Sequence, residues 1–184
     1  MSKVVRIHRH GGPEELQIED LEVGDPGPGE VRLEVEAIGL NRSEAMFRLG
    51  AYPVLPKLPT LIGYEGVGVI EAVGPGVQGF APGQRVCVFP NTRLGEYGLY
   101  AERAIVPVRS LLAPPPDLGS VEAASVWMQY FTALAIIEIA HATVGDFVII
   151  RAPPAVLASQ RFNWPTGPAP YRLPPRAPVT RSPP

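Results

Sequence analysis

Proline constrains this chain more than any other residue. It accounts for 23 of 184 positions, and its excess is uneven. Proline cannot donate to a sheet ladder, and it breaks a helix interior. Through the first two thirds it falls with glycine between short apolar runs, as at Pro26-Gly27-Pro28-Gly29 and Gly74-Pro75-Gly76. That punctuation admits many short strands and few long elements. Residues 3–7 and 31–38 read as strands, the second alternating apolar and polar with period two. Residues 66–73 form a β-branched run with glycines, as in a bent barrel strand. Residues 84–89 and the end of 97–107 are further strands. Asn41 or Ser43 can cap a short helix that runs to Leu49. This spacing predicts a mostly β, barrel-like domain over residues 1–119.

The texture then changes. Residues 120–140 read as one helix, with Ser120 as its cap and Glu122 in the first turn. A turn follows at Val144-Gly145-Asp146. Phe147-Val148-Ile149-Ile150 is an unbroken apolar strand of the kind buried on both faces of a parallel sheet. An α/β domain therefore begins within residues 120–152 and does not continue. From Pro153 to Pro184 no apolar period of either kind persists, and the segment reads as disordered coil.

Composition narrows the function. The formal net charge is -2, which gives no electrostatic footprint for nucleic acid. A single cysteine, Cys87, excludes a disulfide framework and a four-cysteine zinc lobe, and its strand position predicts a core residue. No apolar run reaches the ~18 residues of a membrane span, and the first residues lack a signal-peptide pattern. A cytoplasmic location is expected. His8, His10 and His141 form no evident metal site, and His8 and His10 near the N-terminus read as solvated.

An ordered series of motifs carries more. It runs His10-Gly11-Gly12-Pro13-Glu14, then Ala37-Ile38-Gly39-Leu40-Asn41-Arg42-Ser43-Glu44, then Arg48-Leu49-Gly50-Ala51-Tyr52-Pro53. Next come Gly63-Tyr64-Glu65-Gly66, Gly83-Gln84-Arg85-Val86, Gly95-Glu96-Tyr97-Gly98, Gln129-Tyr130-Phe131-Thr132-Ala133 and the strand at 147–150. Over residues 1 to about 152 the series resembles the medium-chain dehydrogenase/reductase superfamily, in its zinc-independent quinone oxidoreductase and enoyl reductase branch. The resemblance implies a GroES-like catalytic domain followed by the first helix and strand of a nucleotide-binding (Rossmann) domain. It also implies NADPH, a small quinone or enoyl substrate, and dimerisation through the nucleotide domain, most of which is missing from the pattern.

The branch turns on two positions. Where zinc enzymes of the superfamily carry cysteine, this chain has Asn41; where they carry histidine, it has Tyr64. A phenol with a pKa of about 10 is a poor substitute for neutral imidazole on zinc, so no metal is expected. Without zinc, hydrogen bonds must polarise the acceptor. The resemblance makes Tyr52 the proton donor; its alternative role is packing against Pro53. Asn41 resembles the asparagine beside the nicotinamide ribose, a role compatible with helix capping. Gln129 and Thr132 match a segment near the nicotinamide, or are simply polar helix positions. Tyr64 lines the same cleft or belongs to the core.

A dinucleotide fold needs a glycine-rich turn after its first strand, with a helix N-terminus behind it. Here Arg151-Ala152-Pro153-Pro154-Ala155-Val156 follows instead, so the chain is expected to be inactive as it stands. A frameshift is the hypothesis that explains it. Moving the codons from Pro154 onward by one base permits Ser-Ser-Val-Gly-Leu-Ala, which resembles the family's phosphate loop. The coding DNA decides: no such reading in either alternative frame sinks the idea. The competing expectation is a non-enzymatic GroES-like domain that binds a ligand or partner.

Overall fold

The computed structural model describes residues 1–90 and 92–141. The strand expected at 147–150 and the coil expected at 153–184 lie outside the described residues. Among the described residues, eight strands and three α-helices follow in chain order. They are β1 (Ser2–Ile7), β2 (Gln17–Leu21), β3 (Glu30–Ile38), α1 (Arg42–Arg48), β4 (Thr60–Leu61) and β5 (Gly66–Val73). Then come β6 (Arg85–Val88), β7 (Arg103–Pro107), β8 (Leu111–Leu112), α2 (Ser120–Ala124) and α3 (Trp127–Ala140).

The strands make a three-stranded sheet, β2-β1-β4, and a five-stranded sheet, β7-β3-β5-β6-β8. Every pairing is antiparallel. Residues 99–102 tie the two sheets together: the Val5 N–H donates to the Tyr100 carbonyl, and the Glu102 carbonyl accepts from Val35. The fold is a curled, mostly β half-barrel, as the short strands predicted.

Strand β3 shows how the pattern works. Val31 and Leu33 are buried while Glu34 and Glu36 face outward. Together with Ile70, Val86, Val88, Leu99 and Val106 they form the central core. Cys87 is fully buried on β6, against Val67, Ala123 and Ala124. It is a core residue, as expected.

The helix expected over 120–140 breaks. Helix α2 ends at Ala124, and α3 starts at Trp127. At the break, the Ser125 hydroxyl donates to the Glu122 carbonyl (3.0 Å), a local bond that competes with helix continuation. The expected cap also moves. Gly119 is the cap residue of α2, and the Ser120 hydroxyl reaches across to Glu36 (2.6 Å) instead. Strands β2, β4 and β8 are too short or too polar to have been anticipated. The solvated reading of His8 and His10 holds only in part. Both rings have partners: His8 pairs with Glu19, and His10 Nδ1 lies 3.3 Å from the Arg48 carbonyl.

Candidate active site

The site is built where three segments meet: the start of α1, the turn before β5 and the first turn of α3. Asn41 is the cap of α1, as its residue type predicted, and forms a capping box with Glu44. Glu44 is buried. Its Oε2 accepts from the Asn41 N–H (2.8 Å) and the Tyr100 hydroxyl (2.8 Å), while Oε1 has no hydrogen-bond partner. Burial pushes the Glu44 carboxyl from its ordinary 4.5 up to about 7. The Asn41 and Tyr64 backbone N–H groups and the Tyr100 hydroxyl oppose that shift, and the neighbouring Glu65 adds to it.

Gly63 sets up the second segment. Its φ is +96°, and a Cβ there would lie 2.4 Å from the Tyr100 ring. Only glycine meets both demands. The turn delivers Tyr64 and Glu65 inward. The Tyr64 hydroxyl lies 2.5 Å from Ser43 Oγ and 3.9 Å from Met128 Sδ. Burial raises its pKa to about 12, against the Ser43 bond and with help from the nearby Glu44. Burial likewise lifts Tyr100 well above an ordinary phenol.

Glu65 connects the third segment. It is 1% exposed. One oxygen accepts from the Asn41 side-chain Nδ2 (2.9 Å) and the other from the Met128 N–H (2.9 Å). A carboxylate on the first turn of a helix favours its positive end. Thr132 sits one turn along α3, with its hydroxyl on the Met128 carbonyl (2.6 Å) and 3.4 Å from Met128 Sδ.

The structure thus brings Tyr64 and Thr132 to Met128, and links Asn41 to the same helix start through Glu65. Tyr52 and Met128 pack, half-buried, on the cluster of Ile7, Phe47, Ile62, Tyr64 and Leu94. The Tyr52 ring meets Phe47 edge-on, with centroids 6.3 Å apart. Gln129 follows Met128 on α3 and is half-buried. The sequence reasoning missed Glu44, Glu65, Ser43, Tyr100 and Met128. A charged residue between glycines in an apolar run was the available signal for Glu65, and the capping-box spacing was the signal for Glu44. Nothing local marked Tyr100 or Met128. Among the described residues no group of three or more His, Cys, Asp or Glu is placed to hold a metal. No helix among them is long and apolar enough to cross a membrane.

Comparison with known proteins decides the family. Residues 27–117 match the alcohol dehydrogenase GroES-like domain. A 2-haloacrylate reductase from a Burkholderia species is 38% identical over 163 residues, which span 86% of this chain and 48% of that protein. The chain belongs to the medium-chain dehydrogenase/reductase family. It spans about half the length of the curated family members it matches. Among solved family structures, a quinone oxidoreductase from Pseudomonas syringae pv. Tomato DC3000 superposes with a TM-score of 0.67 at 35% identity, over 74% of this chain and 41% of that one. An Escherichia coli quinone oxidoreductase complexed with NADPH gives 0.65 at 28% identity, over 73% of this chain and 40% of that one.

Proposed function

We propose that this chain is the catalytic half of a cytoplasmic, zinc-independent reductase that uses NADPH to reduce a quinone or an enoyl acceptor. The placing of Tyr64 and Thr132 against Met128 at the start of α3, with Asn41 tied there through Glu65 and Tyr52 on the same apolar cluster, carries the reading. Two details favour zinc independence. The Asn41 amide nitrogen is already bound to Glu65, and the Tyr64 phenol holds its proton to about 12. Neither offers a ready anionic or imidazole ligand.

The half-exposed polar groups of Asn41, Thr132 and Tyr52 over an apolar floor fit the nicotinamide end of such a cofactor. When bound, the cofactor supplies a hydride. Asn41 and Thr132 then orient its ribose and ring edge, while Phe47, Ile62 and Met128 exclude water from one side. Tyr52 gives a proton or hydrogen bond to the reduced acceptor. A concavity of about 340 Å³, lined by Val54–Lys57 and Arg93–Glu96, is the room assigned to the acceptor. Leu94 joins it to the Tyr52 cluster.

The test is NADPH oxidation at 340 nm with a benzoquinone and with an α,β-unsaturated aldehyde. It is run on the 184-residue chain and on a version whose frame is corrected at Pro153–Pro154 and whose chain is extended in that frame. We expect no turnover from the first and activity from the second, without added zinc and unaffected by chelators. Activity that appears only with zinc would overturn the zinc-free reading. Failure of both versions to bind NADPH would favour a non-enzymatic binding domain.

A further inference from the structure

An asparagine amide has two chemically different ends, so its use at a binding site depends on what fixes its orientation. At Asn41 the fixing group is Glu65, whose carboxylate binds the Asn41 Nδ2 and the Met128 N–H at 2.9 Å each. Both oxygens act as acceptors, and turning the Asn41 oxygen inward would set two acceptors face to face in a buried place. That arrangement would leave a buried carboxylate oxygen without its donor, so one orientation is favoured. The surroundings are built for it. A Cβ on Gly39 would lie 2.7 Å from Glu65 Oε2 and 2.3 Å from the Ala124 carbonyl, so the carboxylate fits only beneath bare backbone. Gly39 also donates its N–H to the Glu65 carbonyl (2.9 Å).

We propose that Glu65 is a positioning residue. It fixes which end of the Asn41 amide a ligand ribose hydroxyl can meet, and it ties that amide to the N-terminus of α3. The orientation follows from the bonds above; its use by a nicotinamide ribose rests on the proposed function.

The variant Glu65→Gln separates the two parts. It keeps the size and a carbonyl for the Met128 N–H, but it sets an amide NH₂ against the Asn41 nitrogen. On the full 184-residue chain, NMR should show the Asn41 side-chain protons exchanging with solvent about tenfold faster or more, roughly the loss of one buried hydrogen bond. Protection at the Met128 amide should persist. The double variant Asn41→Asp with Glu65→Gln reverses donor and acceptor and should restore a slowly exchanging side-chain amide at the pair. With NADPH as probe, Glu65→Gln should raise Kd by about tenfold. Unchanged exchange at Asn41, or unchanged affinity where the parent chain binds, overturns the proposal. If Asn41 responds as stated but the frame-corrected, extended version does not bind NADPH either, the positioning role stands and the cofactor reading fails. If Glu65→Gln does not fold, the parent chain still decides: Asn41 side-chain protons exchanging as fast as those of an exposed asparagine would exclude the bond.

Discussion

At the scale of single residues, Glu44 sets a pH dependence. Its folded pKa, raised by burial to about 7, lies above the ordinary 4.5. The stability it supports is therefore complete below about 4.5 and is lost as pH rises through 7. Exposed carboxylates act the other way. The His8 bond, with Arg6, lowers Glu19; the Ser120 bond, with Arg85, lowers Glu36. At Glu71 the Arg103 and Arg32 guanidiniums outweigh burial. Their contributions are present at neutral pH and fade below about 4.5, and solvent screening keeps them small. Glu44→Gln should therefore flatten the loss between pH 5 and 8. At pH 8 the variant should be more stable, by up to about 3 kcal/mol for a shift of this size. Urea titrations at several pH values check it; parallel profiles for parent and variant would refute the assignment. Tyr52 offers a second prediction, for the frame-corrected and extended version. Tyr52→Phe should slow reduction of an enoyl acceptor, which needs a proton on carbon, more than that of a quinone. Equal losses would make Tyr52 a packing residue.

At the scale of elements, α1 is the piece most dependent on its surroundings. Seven residues cannot hold a helix alone in water. The capping box starts it, and Phe47, fully buried among Ile7, Ile62 and Tyr64, anchors it. Phe47→Ala should cost about 3–5 kcal/mol, read as a lower denaturation midpoint, and it should weaken any NADPH binding because Asn41 rides on this helix. A loss below about 1 kcal/mol would mean that the site collapses around the cavity. Helix α3 contrasts with α1. Its first turn is held by Glu65, 63 residues away in sequence, so local pattern alone did not fix where α3 begins.

At the scale of the molecule, α3 leaves apolar surface open. Tyr130, Phe131, Leu134 and Ile139 are 56%, 48%, 53% and 78% exposed. Exposed apolar side chains of this size promote association. The chain should bind a hydrophobic dye and self-associate at high concentration, and Ile139→Lys should reduce both. A monodisperse parent chain with no dye binding would contradict the prediction.

Local information determined much of this protein. Turn residues and period-two runs were enough for the half-barrel, because Val31 and Leu33 alternate with outward-facing charges and so declare their own strand. The Asn41 cap and the buried Cys87 were legible for the same reason: each role depends on immediate neighbours. The expectation of a zinc-independent branch rested on the residue types of Asn41 and Tyr64 alone. The site itself was not legible in this way. Glu44 bonds Tyr100 across 56 residues, and Glu65 bonds Asn41 and Met128 across 24 and 63. A buried carboxyl must find donors wherever the fold supplies them, since leaving it unpaired costs more than reaching far along the chain. Which donors stand close enough is a property of the folded chain, and only the tertiary structure decided it.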